Sequence, residues 1–591
     1  MIENADQAPE PESMPERRIG VYVCHCGGNI SDYVDVSRVI DGIRDEPGVV
    51  VARRAMFTCS DATQQEIERD IRDQHLDGLV VASCSPKLHT ATFREVARRA
   101  GLNPYQYTQV NIREQCSWAH TDDHEGATDK AIRLVRAGIG RTSRTEPLEP
   151  LVVQTTPKVL IVGGGITGLR AALGLARIGL AVFLVERQTR LGGWVAGFGA
   201  MYPEQDRGRD LIDRLVVQIG EHDNITVFTG AELVEKTGSF GNYRATVRIG
   251  GRTGETIQLD VGSIIVATGF DSYQPARGEY GFGLPGVLTL PDFTELVDGA
   301  TGPLTYQGRP VRAIAYIYCV GSRQPADVPG GNEYCSRFCC TAAVHTSLKT
   351  RGLGGKIHQY HLYRDMRTYG KNELLYSQSR AAGDHYLRFT QDTPPTVDYD
   401  AATERLRVTV RDQLAGPAEI ELPVDLVVLV TGMVPRANED LVKALKLPVG
   451  RDGFLNEIHP KLRPVETVVD GVLIAGACQG PKTAVESVAS GLAAVTQAAA
   501  VLKRGDTALD PLVATVDTDI CRWCGACQDT CPYGAISQIT RDGREVAAID
   551  EASCKGCGGC VPLCPDQAID LRGYSNAQVT SMIDGLLEAM A

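Results

Sequence analysis

The stretch Lys158 to Gly193, KVLIVGGGITGLRAALGLARIGLAVFLVERQTRLGG, constrains the fold of this chain more than any other. Val159 to Val162 is a short apolar run of the kind that forms a buried parallel strand. Gly163, Gly165 and Gly168 then spell G-x-G-x-x-G at the mouth of a helix. The first glycine makes a tight turn, the second lets the backbone approach a pyrophosphate, and the third allows close helix–strand packing. Ile166 and Thr167 open the helix, whose unpaired N–H groups and dipole favour an anion. After Gly179, Ala181 to Val185 predicts a second strand. Glu186 closes it where a ribose hydroxyl is read, with Arg187 beside it. A lone G-x-G-x-x-G is weak evidence. Here the strand, the helix, the acid and the trailing Gly192-Gly193-Trp194 agree, which favours a dinucleotide site over a merely structural glycine turn.

At 591 residues several domains are expected, because single cores stop growing near roughly 250–300 residues. The net charge of −13 carries no basic tract, which argues against nucleic acid as a partner. Residues 1–17 are acidic and proline-rich and read as a disordered tail rather than a signal peptide. No stretch approaches the roughly 20 apolar residues of a membrane span. Eighteen cysteines without an export signal favour metal or redox work over a disulfide scaffold, and a reducing cytoplasm as the compartment.

Residues 18–145 alternate strand and helix and predict a small parallel α/β domain. Its five cysteines fall after successive strands: Cys24 and Cys26 after the first, then Cys59, Cys84 and Cys116. In an open parallel sheet the carboxyl ends share one edge, where ligands gather. Four thiolates converging there suit zinc or an iron–sulfur cluster; the bland alternative is a set of packed free thiols. One of the five is spare, and Cys26, Cys59, Cys84 and Cys116 are carried forward as ligands.

The nucleotide lobe is expected over 157–304 and 437–505, interrupted by a second α/β domain at 305–436. Within that insert, Ala313 to Tyr318 predicts a buried strand, but the loop after it has no G-x-G-x-x-G. It offers Cys319, Cys335, Cys339 and Cys340, enough for a cluster. Adjacent cysteines are unusual for zinc, and a catalytic dithiol competes although C-x-x-C is absent.

Further on, Cys521-x2-Cys524-x2-Cys527-x3-Cys531-Pro532 recurs as Cys554-x2-Cys557-x2-Cys560-x3-Cys564-Pro565. This is the bacterial two-cluster ferredoxin run, in which the fourth cysteine of each half ligates the other cluster. A two-[4Fe–4S] domain is therefore expected over 515–575, followed by an amphipathic helix at 576–591 on which a partner could dock. Cys478 reads as a packed thiol. The fold class is α/β throughout, with an α+β ferredoxin domain at the end.

Two resemblances add to this reading. Gly192-Gly193 beyond Glu186, the segment Ile264 to Gly269 containing Ala267, Thr268 and Gly269, and Val472 to Gly476 are similar to the flavoproteins related to thioredoxin and glutathione reductases. That likeness implies FAD, with Gly476, Ala477, Lys482 and Thr483 at a flavin-facing helix. Those reductases usually place an Asp where this chain has Ala477. Lys482 is a candidate catalytic group that would stabilise an anionic flavin, against the alternative of a solvated lysine.

The segments VYVCHCGGNI, FTCSDATQQEI, VASCSPKLH, NIREQCSW, CVGSR, YCSRFCC and GACQGPKTAVES, with the repeat, resemble the A-type subunits of heterodisulfide reductase. The resemblance implies an FAD- and [4Fe–4S]-containing oxidoreductase component that transfers or bifurcates electrons. The implied partners are B- and C-like subunits and ferredoxin, with electron input from hydrogenase-, formate dehydrogenase- or NADH-dehydrogenase-type subunits, and a homodimer within a larger complex. Longer members carry a further ferredoxin insert that this sequence lacks. The rival readings are an NAD(P)H-dependent flavoprotein reductase and a non-catalytic iron–sulfur scaffold.

Overall fold

The computed structural model describes residues 17–203 and 205–587. The expected tail, apart from its residue 17, and the end of the expected last helix lie outside the described residues. The chain folds as two compact units, one built from residues up to Val153 and from Ala508 onward, the other from Gln154–Thr507.

In the first unit, β1 (Ile19–Cys24), β2 (Val49–Ala55), β3 (Gly78–Ser83) and β4 (Tyr107–Asn111) form a parallel sheet in the order β2-β1-β3-β4. β1 and β3 are buried along their whole length, as continuous apolar runs in a covered parallel sheet must be. Helices α1 (Val36–Asp41), α2 (Asp61–Asp73), α3 (Pro86–Ala100) and α4 (His124–Ser143) cover its faces. Ser60 caps α2, its hydroxyl accepting from Thr63 N.

The second unit begins with the nucleotide lobe. Strands β5 (Lys158–Val162), β6 (Ala181–Glu186), β7 (Ile225–Thr229), β11 (Ser263–Val266) and β22 (Val472–Ile474) make a parallel sheet ordered β22-β11-β5-β6-β7. Helices α5 (Ile166–Arg177) and α6 (Gly208–Gly220) pack on it, and β8 (Ala231–Ser239), β9 (Asn242–Ile249) and β10 (Glu255–Val261) form an antiparallel layer.

The insert is entered and left through the antiparallel pair β12 (Phe270–Ser272) and β21 (Met433–Pro435). Its sheet contains β13 (Val287–Thr289), β14 (Ala313–Val320), β15 (His358–Tyr363), β16 (His385–Arg388) and β20 (Leu426–Thr431), in the parallel order β13-β20-β14-β15-β16. Strands β17 (Thr396–Asp400), β18 (Arg405–Arg411) and β19 (Glu419–Val424) form a small antiparallel sheet. β13 already belongs to this domain, so the insert starts before the expected position 305. Three residues are too few to show a periodic signal.

Helices α7 (Leu290–Gly299), α8 (Cys339–Gly352), α9 (Glu373–Ala381) and α10 (Glu439–Leu445) follow in the chain, and α11 (Ala484–Leu502) closes the nucleotide lobe. Among the described residues α11 is the one helix long and apolar enough, by length and composition, to cross a membrane. Here it lies along α5: a Cβ on Gly491 would stand 3.1 Å from Thr167, and one on Gly174 3.2 Å from Val495.

The cysteine repeat returns to the first unit. β23 (Ala514–Val516) pairs with β26 (Ile569–Leu571), β24 (Ile536–Arg541) pairs with β25 (Arg544–Ile549), and α12 (Ala526–Thr530) lies between. The described part of the last helix, α13 (Asn576–Leu587), packs on α4 of the N-terminal domain. The approach is close: a Cβ on Gly140 would stand 2.6 Å from Ser581 O, and one on Gly585 2.9 Å from Ala137 N. Arg141 donates to Gly573 O at 2.7 and 3.2 Å and lies 4.0 Å over the Tyr574 ring. Sequence reasoning treated these as separate domains; they share one unit, and α13 spends one face on α4.

Candidate functional site

The glycine loop of the nucleotide lobe opens onto a cavity of about 2150 Å³. Gly163 has φ 114° and a Cβ there would meet Ala267 O at 2.3 Å; a Cβ on Gly168 would meet Gly163 O at 1.9 Å. Both glycines are demanded by the chain's own packing. Gly165 differs: a Cβ there would find nothing within 4 Å, because it faces the cavity at the N-cap of α5. An elongated anion can therefore lie directly against this backbone, as a pyrophosphate cradle requires. The Glu186 carboxylate is fixed at the cavity wall, accepting from Gly164 N at 2.7 Å and Gln188 N at 2.8 Å. Arg187, Gly193 and Trp194 line the same side; the Trp194 ring stacks on Phe270 at 5.7 Å and its Nε1 donates to Phe270 O at 2.9 Å.

Ala267, Thr268, Gly269, Ala477, Lys482 and Thr483 line the far side; Gly476, with φ 80°, backs onto Thr167. Thr483 and Glu486 form a reciprocal capping box that points the N-terminus of α11 into the cavity. Lys482 is held by Gln479 Oε1, at 2.5 Å from Nζ. Burial lowers its pKa, with the neighbouring Cys478 and Glu457 working in the opposite direction. Cys478 itself is packed between the strand ends, bonding Ala475 O at 3.2 Å and Val266 O at 3.4 Å.

The insert places its thiols at the end of β14 and the start of α8. Cys319, with φ 64°, is the last residue but one of β14; Cys339 and Cys340 are the first two residues of α8, where the dipole favours thiolate. The hydrogen bond to Cys340, then burial, pushes the Cys339 thiol up, with Cys319 and Cys335 also beside it. The same hydrogen bond lowers the pKa of Cys340, and Arg367 and Arg323 act in that direction too. Cys319, Cys335, Cys339 and Cys340 are thus near neighbours, with Arg323 and Arg367 beside Cys340. Gly321, in the loop where a second nucleotide would need a cradle, is shut by Tyr273: a Cβ there would stand 2.0 Å from its ring.

In the first unit, all five N-terminal cysteines lie at the carboxyl edge of the sheet; Cys59 and Cys84 feel the charges of Cys24 and Cys26, whereas no cysteine is among the charges that act on Cys116. Cys24 Sγ accepts from Cys26 N at 3.2 Å and Thr58 N at 3.4 Å. Burial raises the pKa of Cys59, with Cys24 and Cys26 adding to it; burial pushes Cys84 up to about 11, Arg113 opposing and Cys26 and Cys24 adding. Arg113 also donates to Cys26 Sγ at 3.6 Å. Cys116 is fully buried in a π-helical turn, Arg113–Ser117, in the apolar cluster that also holds Cys24 and the inner faces of α1 and α4. Burial raises it to about 11, and the charges it feels are Lys130 and Arg133.

The repeat shows its duplication in N–H···S bonds. Ala535 N donates to Cys531 Sγ at 3.4 Å and Ala568 N to Cys564 Sγ at 3.2 Å. Ala547 N does so to Cys521 at 3.4 Å and Ala514 N to Cys554 at 3.5 Å. Such donors stabilise thiolate sulfur and tune cluster potentials. Cys527 and Cys560 are buried, whereas Cys524 and Cys557 are exposed. Among the described residues no group of three or more Cys, His, Asp or Glu side chains closes to the spacing of a single metal ion.

A 4Fe-4S dicluster domain family matches residues 520–568, and an FAD dependent oxidoreductase family matches 158–232. Methanopyrus kandleri has two iron-sulfur A-type subunits of CoB–CoM heterodisulfide reductase; the chain is 36% identical over 612 residues to the second of them, covering 90% of this chain and 92% of that one. It is 33% identical over 658 residues to the A-type subunit of the H(2)/formate:CoB-CoM heterodisulfide,ferredoxin reductase of Methanococcus maripaludis, covering 98% and 99%. The chain belongs to the family of heterodisulfide reductase A-type subunits.

As a heterodisulfide reductase A-type oxidoreductase, the protein carries FAD and [4Fe–4S] clusters. T. acidophilum thioredoxin reductase superposes on 58% of this chain and 99% of its own with a TM-score of 0.39 and 16% identity, too distant to speak for individual side chains. Sequence reasoning marked the glycine loop and the cysteine repeat of this heterodisulfide reductase component, both of which fall in regions matched by the family models. Which of the five N-terminal cysteines is spare it left open, because position after a strand does not reveal which way a turn then carries the thiol. It also passed over Tyr273 and Arg337, which announce themselves by no motif.

Proposed function

We propose that this chain is the flavin-bearing hub of a heterodisulfide reductase-like complex, in which electron pairs are divided between ferredoxin and a disulfide or related acceptor held by B- and C-like subunits. Electron input from a hydrogenase-, formate dehydrogenase- or NADH-dehydrogenase-type partner, a homodimer within the complex and a cytoplasmic setting belong to the same reading. The observation that carries it is the insert's loop, where thiols and the Tyr273 ring stand in place of a nucleotide cradle. The flavin is then served by metal centres rather than by a pyridine nucleotide.

In this reading Gly163, Gly165 and Gly168 bind the pyrophosphate on the N-terminus of α5, and Glu186 orients the ribose. Trp194, Thr268, Ala477 and Thr483 bound the rest of the cofactor. FAD supplies two-electron acceptance with one-electron release. Lys482, half-buried at the head of α11, is the group placed to hold positive charge against the reduced ring; its lowered pKa marks the cost of keeping that charge partly out of water. Cys319, Cys335, Cys339 and Cys340 hold the central cluster. Reduced ferredoxin should bleach the flavin absorbance of the purified protein under anaerobic conditions, whereas NADH and NADPH alone should leave it unchanged. Stoichiometric bleaching by NADH within a stopped-flow mixing time would make the protein a pyridine-nucleotide reductase.

For the N-terminal cluster, the set Cys24, Cys26, Cys59 and Cys84 replaces the set with Cys116. Cys24→Ser should lower iron by about four atoms per chain, one cubane, whereas Cys116→Ala should leave iron unchanged and lower the melting temperature. Iron loss in the Cys116 variant alone would restore the set that includes Cys116.

A further inference from the structure

Arg337 stands between the central thiols and the flavin-facing helix, in the loop Cys335-Ser-Arg-Phe-Cys339. Its backbone is left-handed, with φ 62°, a conformation that costs a residue bearing a side chain. Its N–H donates to Cys335 Sγ at 3.3 Å. The neighbouring Ser336 is fully buried and its hydroxyl accepts from Met433 N at 2.9 Å, so the floor of the loop is fixed. The guanidinium reaches away from the thiols to Glu486 Oε1 at 2.5 Å and Pro481 O at 3.5 Å, with Tyr369 OH at 3.2 Å. Glu486 is itself immobilised, because its other oxygen accepts from Thr483 N at 2.9 Å in the capping box of α11. A single carboxylate therefore ties the cysteine loop to the helix end that enters the flavin cavity.

The two side chains are 45% and 36% exposed, and an ion pair so wetted contributes little to folding. What it fixes is geometry. We propose that Arg337 is a positioning residue that clamps the central cysteine loop onto the N-terminus of α11 and so holds the electron-transfer distance between the central cluster and the flavin. The inference rests on the central-cluster reading above. The step it serves moves one electron, oxidising the flavin and reducing the cluster by one equivalent each, and makes or breaks no bond at Arg337.

The test uses the full-length protein with its cofactors and the variants Arg337→Gln, Arg337→Lys, Glu486→Gln and the Gln/Gln double. Glutamine at position 486 preserves the capping box while removing the charge. Three quantities are read: iron and flavin content, the rate of cluster reduction after flash photoreduction of the flavin, and amide hydrogen exchange over 334–340. Arg337→Gln and Glu486→Gln should each slow transfer by on the order of tenfold and speed exchange in the loop, at wild-type cofactor content. The double variant should be no slower than either single variant, and Arg337→Lys should recover part of the rate. Unaltered rates, or effects that multiply in the double variant, would overturn the clamp. Should Arg337→Gln lose iron, Glu486→Gln decides the matter, because its side chain lies outside the cysteine loop. A Cys339→Ser control separates the two levels: iron equal to wild type in that control would overturn the central-cluster reading and the clamp together, whereas loss of one cluster there with unaltered rates in the clamp variants would overturn the clamp alone.

Discussion

Replacing Gly165 by valine should give a folded protein without FAD. The φ of −76° and ψ of −177° at this position are open to any residue, and no protein atom lies within 4 Å of the added Cβ. Folding should therefore be nearly untouched. The branched side chain instead fills the surface against which the pyrophosphate lies, which should weaken binding by at least about a hundredfold, roughly 2.7 kcal/mol. Flavin absorbance per chain should fall to a trace while circular dichroism and the melting temperature of the flavin-free protein match those of stripped wild type. Gly168 supplies the contrast. A side chain there would press on Gly163 O at 1.9 Å, so its valine variant should lose flavin through misfolding of the lobe. A Gly165 variant purified with full flavin would move the dinucleotide site elsewhere.

The second large effect concerns Cys524. It is exposed in the first half of the repeat, whereas the FAD lobe belongs to the other unit. Cys524→Ala should remove about four iron atoms and leave FAD binding and chemical reduction of the flavin intact. Electron exchange with external ferredoxin should fall by at least about tenfold, since an entry or exit centre is gone. Exchange at the wild-type rate would take the repeat off the path and leave the central or N-terminal cluster as the exit. Deleting residues 1–145 is a poorer probe of the N-terminal cluster than it looks on paper. It would strip α4 from beneath α13 and remove Arg141 from Gly573, so iron loss could spread into the repeat.

How much of this was legible beforehand depends on how locally each feature is encoded. The glycine loop and the cysteine repeat are contiguous motifs whose spacing carries their geometry, so both can be read without knowing the rest of the fold. The convergence of Cys319, Cys335, Cys339 and Cys340 was legible because a strand end and a helix start in one α/β unit are neighbours. The choice among Cys24 and Cys116 was not. Both are buried in one apolar cluster at the sheet's carboxyl edge, and nothing in REQCS advertises the π-helical turn at 113–117 that carries Cys116. The early start of the insert was hidden by the brevity of β13. The union of the N-terminal domain with the repeat rests on glycines at 140 and 585 that let two helix backbones approach, and on one arginine; none of these has a periodic signature.

That union has a consequence for how the protein comes into being. Arg141 and Gly573 are 432 positions apart, so a ribosome adding about 5–20 residues per second finishes α4 roughly 20–90 s before its partner helix exists. During that interval the small-residue face of α4 stands uncovered, and the nascent N-terminal domain must survive as a half-finished surface while the whole flavin unit is made. The first unit can close only after the second has been synthesised. Its assembly is a late, long-range docking event, and the interval before it is when the nascent chain would most benefit from a chaperone or an assembly factor at α4.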